Sequence, residues 1–173
     1  LTISTSTAAI TNPLFFIQTN VTTRTINNFN FNRAGSTLNL GSDIEVISTF
    51  VHSNGFINLN GTSFSASGVI TFPSTIANGY FIGSASSSIK IGGVGAVNNT
   101  LKMDQSTAAN SSVSNFKLEH TGGILTLGNN LTCVSSFIHS SGTLSIGATS
   151  LTLSGSIAFP PSLASGSITG SAT

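Results

Sequence analysis

The chain has 173 residues, of which 5% are charged and 39% hydrophobic, with a formal net charge of +1. An ordinary globular domain is roughly 25% charged; here Ser, Thr, Asn and Gly fill the polar balance, a composition poor in helix formers and rich in strand formers. The neutral balance removes the main energetic term of nucleic-acid binding. Despite a mean hydropathy of +0.34, the longest apolar runs, residues 14–17 and 94–97, fall far short of the roughly 18 residues of a spanning helix, so no membrane insertion is expected.

From its start, Leu1-Thr2-Ile3 reads as a short strand and resembles Ile89-Lys90-Ile91, 88 residues on. From Asn12 the likeness continues at a constant offset of 87, with Asn12 on Asn99, Leu14 on Leu101, Gln18 on Gln105 and Ile26 on Val113. Residues 28–86 and 115–173 then match without a gap: Asn28 on Asn115, Leu38 and Leu40 on Leu125 and Leu127, Phe50 on Phe137, His52 on His139, Gly55 on Gly142, Phe72-Pro73 on Phe159-Pro160. The chain divides into two tandem units, residues 1–87 and 88–173. A long period filled with short apolar pairs marks a repeat architecture whose units bury their faces against one another. Leu1 falls near the beginning of a unit and Thr173 near the end of one, which leads us to expect a window on a longer array.

Within a unit the apolar residues come as pairs at i and i+2: Leu38/Leu40, Ile44/Val46, Ile57/Leu59, Phe64/Ala66, Ile70/Phe72, Ile89/Ile91, Leu101/Met103 and Phe116/Leu118, with a comparable pair at Tyr80/Ile82. A period of two puts both members on one face of a strand, and the Gly or Asn after most pairs marks a tight turn. Recurrence about every 22 residues predicts roughly four turns per unit, each with three short strands and three corners. The expected fold class is all-β, a parallel β-solenoid (β-helix) in which like residues of successive rungs stack. A sandwich or barrel would leave the gapless long period unexplained.

Asp43 and Glu45 share a strand face, inviting comparison with the carboxylates of polysaccharide-cleaving β-helices. They alternate with Ile44 and Val46, which predicts that they face water, and the second unit carries Asn130 and Thr132 in their places. Lys117 and Glu119, and Lys102 and Asp104, read as outward pairs of opposite charge, worth little in water. Phe15 becomes an exposed aromatic in this register. His52 and His139 recur, but about four rungs at ~4.8 Å separate them, too far to share an ion; each reads as a corner histidine bonded to backbone. His120 has no counterpart, Arg33 standing in its place. Cys133 replaces Val46 beside Leu131 and reads as a small buried hydrophobe. No nucleophile, base and orienting group occur at a recognisable spacing. No catalytic, cofactor-binding or metal residue is therefore assigned, and no cofactor. Asn20, Asn60, Asn98, Asn110 and Asn130 lie in glycosylation sequons. Thr-x-Thr stretches at 5–7 and 23–25 raise an ice-binding reading, which needs a flat Thr ladder.

Thr25-Ile26-Asn27-Asn28-Phe29-Asn30-Phe31-Asn32-Arg33, followed by Ser36-Thr37-Leu38-Asn39-Leu40-Gly41, resembles the repeat phrasing of very large surface proteins of the Bacteroidota. So do Ser141-Gly142-Thr143-Leu144-Ser145-Ile146-Gly147, Ser150-Leu151-Thr152-Leu153-Ser154-Gly155 and Ile168-Thr169-Gly170-Ser171-Ala172-Thr173. The resemblance implies an exported protein, often carried by the type IX route, that serves at the cell surface as an adhesin or a filament of the kind used in gliding. It further implies end-to-end stacking on neighbouring repeat units, contact with polysaccharide or a solid surface, and an outer-membrane anchor or export partner. The function expected is a structural, non-catalytic filament or stalk segment outside the cell. The alternatives are a carbohydrate-active β-helix enzyme or carbohydrate-binding module, discriminated by whether a groove gathers Asp43, Glu45, Asp104 or Glu119, and, as a minor one, an ice-binding solenoid.

Overall fold

In the computed structural model, which describes residues 1–4 and 9–171, the chain winds as a parallel β-solenoid of about 7 turns. Its strands are β1 (Thr2–Ile3), β2 (Thr25–Asn39), β3 (Ile44–Asn58), β4 (Ser63–Ser67), β5 (Val69–Thr71), β6 (Gly79–Ile82), β7 (Ser84–Val94), β8 (Val97–Asn98), β9 (Thr100–Leu101), β10 (Ser112–Leu127), β11 (Leu131–Gly147), β12 (Leu151–Leu153), β13 (Ser156–Ala158) and β14 (Gly166–Gly170). Among the described residues the only helical element is a 3-10 turn, Val21–Arg24, whose first free N–H groups are served by the Asn20 side chain, 3.1 Å from the Thr23 nitrogen. All strand pairs are parallel.

A turn has three faces. In β3 they are read in order along the chain: Ile44 and Val46 point inward from the first face, Phe50 and His52 from the second, Ile57 from the third. The i, i+2 pairs named from sequence are all buried, with one exception: at 79–82 it is Phe81 that faces inward, while Tyr80 and Ile82 lie on the outer surface. Register decides this, because Phe81 stacks between Ile57 and Met103. The core is a column of stacked apolar side chains: Ile44, Phe64, Ile89, Phe116, Phe137 and Ile157 follow one another rung by rung.

The corner between second and third faces carries its own chemistry. Gly55 and Gly142, equivalent in the two units, have φ of 93° and 85°, a region in which a side chain is strained. A Cβ there would also run into a carbonyl of the preceding rung, that of Arg33 or of His120. The bend is held from inside by the histidine three residues earlier. Nε2 of His52 donates to the Gly55 carbonyl at 2.8 Å, and Nε2 of His139 to that of Gly142 at 2.8 Å; both rings are fully buried.

The expected four turns per unit resolve to three and two-thirds. From Phe29 the second face runs to Phe50, Ile70 and Val97, one turn at a time. The fourth turn ends at Gly123, whose backbone lies against Val97. Phe116, the equivalent of Phe29, comes one face earlier and pairs with Ile89. The second face of unit two therefore stacks on the first face of unit one. Ile3 confirms the offset from the other side: it stacks on Phe31 just as Ile91 stacks on Leu118. At ~4.8 Å per rung, one unit advances about 18 Å and turns the pattern by a third of a revolution.

Candidate functional site

The one-face offset brings the charges together. Of the nine charged residues, Arg24, Asp43 and Glu45 belong to unit one and Lys90, Lys117 and Glu119 to unit two, yet all six stand outward on the same sheet. Its outer rows follow the register: Thr25, Glu45, Ser65, Lys90, Lys117 and Ile138 form one, and Ser63, Ser88, Asn115 and Ser136 the neighbouring one. Small serines at the middle rungs with long charged side chains at either end leave a shallow groove of about 280 Å³.

Each wall is organised differently. Asp43 Oδ1 accepts from the Ser63 backbone N–H at 2.8 Å, and Oδ2 lies 3.8 Å from Arg24. Lys90 and Lys117 both grip Glu119, each at 2.6 Å. Partial burial opposes ionisation of Glu119, but the hydrogen bonds from Lys117 and Lys90 outweigh it and hold its carboxyl below the ordinary value. At the floor, Asn115 Nδ2 reaches Ser88 Oγ at 3.1 Å, and the buried Ser65 hydroxyl has no hydrogen-bond partner.

Asp43, Glu45, Lys117 and Glu119 thus stand outward, as their alternation with apolar residues requires. The groove collects Asp43 and Glu45, Glu119 closes its far side through the lysines, and Asp104 lies elsewhere. Lys102 and Asp104 are not the solvent-facing pair expected: both are buried, at 7% and 9% exposure, and each bonds to other groups. Residues 105–111 form a loop of their own that folds back on Asp104. Lys102 Nζ donates to the Pro73 carbonyl and to Thr100 Oγ1, both at 2.7 Å. Asp104 accepts from the Ser106 N–H and hydroxyl and from Asn110 Nδ2. These bonds overcome the cost of burial and hold its carboxyl below the usual carboxylate value, while burial lowers the Lys102 ammonium.

Phe15 is 67% exposed and lies over Gly41. His52 and His139 are the corner histidines described above. Burial, opposed by the bond to Gly55 and aided by the charge of Lys102, lowers the pKa of His52 to about 4, so it is neutral near pH 7. His120 is also buried, with Nε2 3.1 Å from the Gly68 carbonyl. Arg33, its equivalent, is buried with Nε and one terminal nitrogen unpartnered. Cys133 is 1% exposed, its thiol 3.0 Å from the Ser136 carbonyl, and burial raises its pKa. Among the described residues, no three of His, Cys, Asp and Glu converge as metal ligands. Among the described residues no helix is long and apolar enough to cross a membrane. Of the Thr-x-Thr stretches, residues 5–7 lie outside the described residues, and Thr23 sits in the 3-10 turn, bonded to the Ile17 carbonyl, rather than on a flat sheet.

Sequence reasoning weighed the charged pairs one at a time and missed their convergence. The signal that would have found it is the non-integral number of turns in the 87-residue unit. Comparison with family models, with curated proteins and with solved structures returned no match.

Proposed function

We propose that this chain is a structural, non-catalytic segment of an extracellular cell-surface filament or stalk of the adhesin type, in which further copies of the unit stack end to end. The observation that carries the reading is how the two units meet. Ile70, Phe72 and Phe81 of unit one are buried to within 1% under the first rung of unit two, where Val97 pairs with Ile70 and Met103 with Phe81. A unit that covers its neighbour's apolar edge through ordinary parallel ladder bonds is a stacking element, and repetition of it makes a rod. Such a rod gains length at about 18 Å per copy with no new kind of contact. Export by the type IX route, and service in attachment or gliding, follow from the resemblance of the repeat phrasing.

Two measurements test this. Chains of two, four and six tandem copies should lengthen linearly in small-angle scattering and electron micrographs, by about 18 Å per copy; a radius that grows as for separate beads on a string would refute stacking. Antibodies against the solenoid should label intact cells of the source, and labelling only after permeabilisation would refute the surface assignment.

A further inference from the structure

We propose that the groove between Glu45 and Lys117 binds a neutral oligosaccharide laid parallel to the solenoid axis. Arg24, Lys90 and Lys117 line the groove against Asp43 and Glu45, and Glu119, beside it and paired to both lysines, brings the local charge to zero. No net field is left to draw in a phosphate polymer or a polyamine. What the walls offer is hydrogen bonding of both senses, carboxylate acceptors at one end and ammonium and amide donors at the other. A ligand able to donate and accept at every position satisfies both, and a sugar hydroxyl does.

Three further observations favour a ligand over a solvated surface. The Ser65 hydroxyl on the floor is buried and has no partner, and buried polar atoms are normally satisfied. Glu45, unlike Asp43 and Glu119, has neither an ion pair nor a protein donor on its carboxylate in the groove. The repeat scaffold does not require these charges, since the equivalents of Arg24, Asp43 and Glu45 are Ser111, Asn130 and Thr132. They coincide on one sheet only because the units are offset by a face. Glu45 to Lys117 spans three rung steps, about 14 Å at ~4.8 Å each, room for a few sugar rings in line. Asp43 is held by the Ser63 amide and Arg24, which fixes it as an acceptor on the groove wall. The whole groove lies within residues 24–117, so binding here does not depend on the filament reading.

The test is titration of the ¹⁵N-labelled chain, followed by NMR, with neutral hexasaccharides (cello-, malto-, laminari- and xylohexaose) and charged ones (hexagalacturonate and chitosan hexamer). At least one neutral hexasaccharide should bind with a Kd on the order of 0.1–1 mM and shift the amides of Ser63, Ser65 and Ser88. Glu45→Gln and, separately, Ser65→Val should each weaken binding at least about fivefold, with thermal melts unchanged; Asp104→Asn, outside the groove, should leave the affinity as it was. The proposal is overturned if no neutral hexasaccharide saturates the chain by about 10 mM, if only charged ones bind, if the shifts fall on another face, or if the bound sugar is cleaved.

Discussion

Phe72 and Phe159 occupy the same place in the two units and are held in the same way. The ring of Phe72 meets Phe50 edge-on at 6.2 Å, and that of Phe159 meets Phe137 edge-on at 6.0 Å. Their surroundings differ on one side only. Phe72 lies under a further rung, its N–H bonded to the Asn98 carbonyl at 3.1 Å, and is 1% exposed, whereas Phe159 is 58% exposed. Truncating a fully buried phenylalanine costs about 3–5 kcal/mol, the expected loss for Phe72→Ala. Phe159 withdraws about two-fifths of its side chain from water; with 150–250 Å² per aromatic and ~25 cal/mol per Å², Phe159→Ala should cost about 1.5–2.5 kcal/mol. Urea unfolding followed by far-UV circular dichroism should separate the two by about 1.5–2.5 kcal/mol, or roughly 1 M in midpoint at ordinary m-values. Extending the chain by a further copy of residues 87–111 should close the gap by raising the cost at Phe159. Equal losses in the unextended chain would refute the assignment of residue 159 to an uncovered turn. A gap that survives extension would refute stacking of the next unit on it.

Other perturbations have equally definite outcomes. His52 takes up a proton near pH 6.5 when unfolded but only near 4 when folded, so the unfolded state binds more protons between those values. Stability should fall as pH drops from about 6.5 to 4, by ~3 kcal/mol for this residue; the fall should shrink by that amount in His52→Phe, and identical pH dependence in both proteins would contradict the buried neutral ring. Cys133→Val should change stability by less than about 1 kcal/mol, and Cys133→Asp should cost several kcal/mol by burying an unpaired charge; rapid reaction of the native thiol with a bulky reagent would place Cys133 on the wrong face. Gly142→Ala, which must force a Cβ against the His120 carbonyl, should cost at least about 2 kcal/mol, against ~1 kcal/mol for Gly147→Ala, where φ is also positive but the space is open; thermal melts of the two variants check the order.

The fold was legible because the signals are local and doubled. An i, i+2 pair such as Ile44/Val46 fixes a strand face by itself, and its recurrence as Leu131/Cys133 confirms the reading without knowledge of the third dimension. Corner histidines could be read for the same reason. The failures are those of tertiary register. Tyr80, Phe81 and Ile82 are three consecutive large residues, and alternation cannot say which points inward when two of them make a pair; the rungs on either side decide for Phe81. Lys102 and Asp104 alternate with inward residues, yet Lys102 bonds to the Pro73 carbonyl of a neighbouring rung and Asp104 to Asn110 of the loop that follows it, contacts that a period of two does not encode.

The groove shows what a fractional turn count does to a repeat protein. With a whole number of turns per unit, every outward position would recur directly above its own equivalent, and a site could be assembled only from one position and its copies. With two-thirds of a turn left over, the first face of one unit continues as the second face of the next, and positions that are unrelated in the repeat become neighbours at ~4.8 Å spacing. Glu45 and Lys117 are not equivalents, yet Ser65 and Lys90 link them along one row. Meanwhile the inward positions remain interchangeable, since phenylalanine, isoleucine and leucine fill the same column on any face. The core can therefore stay repetitive while the outer surface varies from unit to unit. In a longer array the faces would realign only after three units and eleven turns, so equivalent outward positions would be presented in three directions around the axis, at intervals of about 18 Å along it.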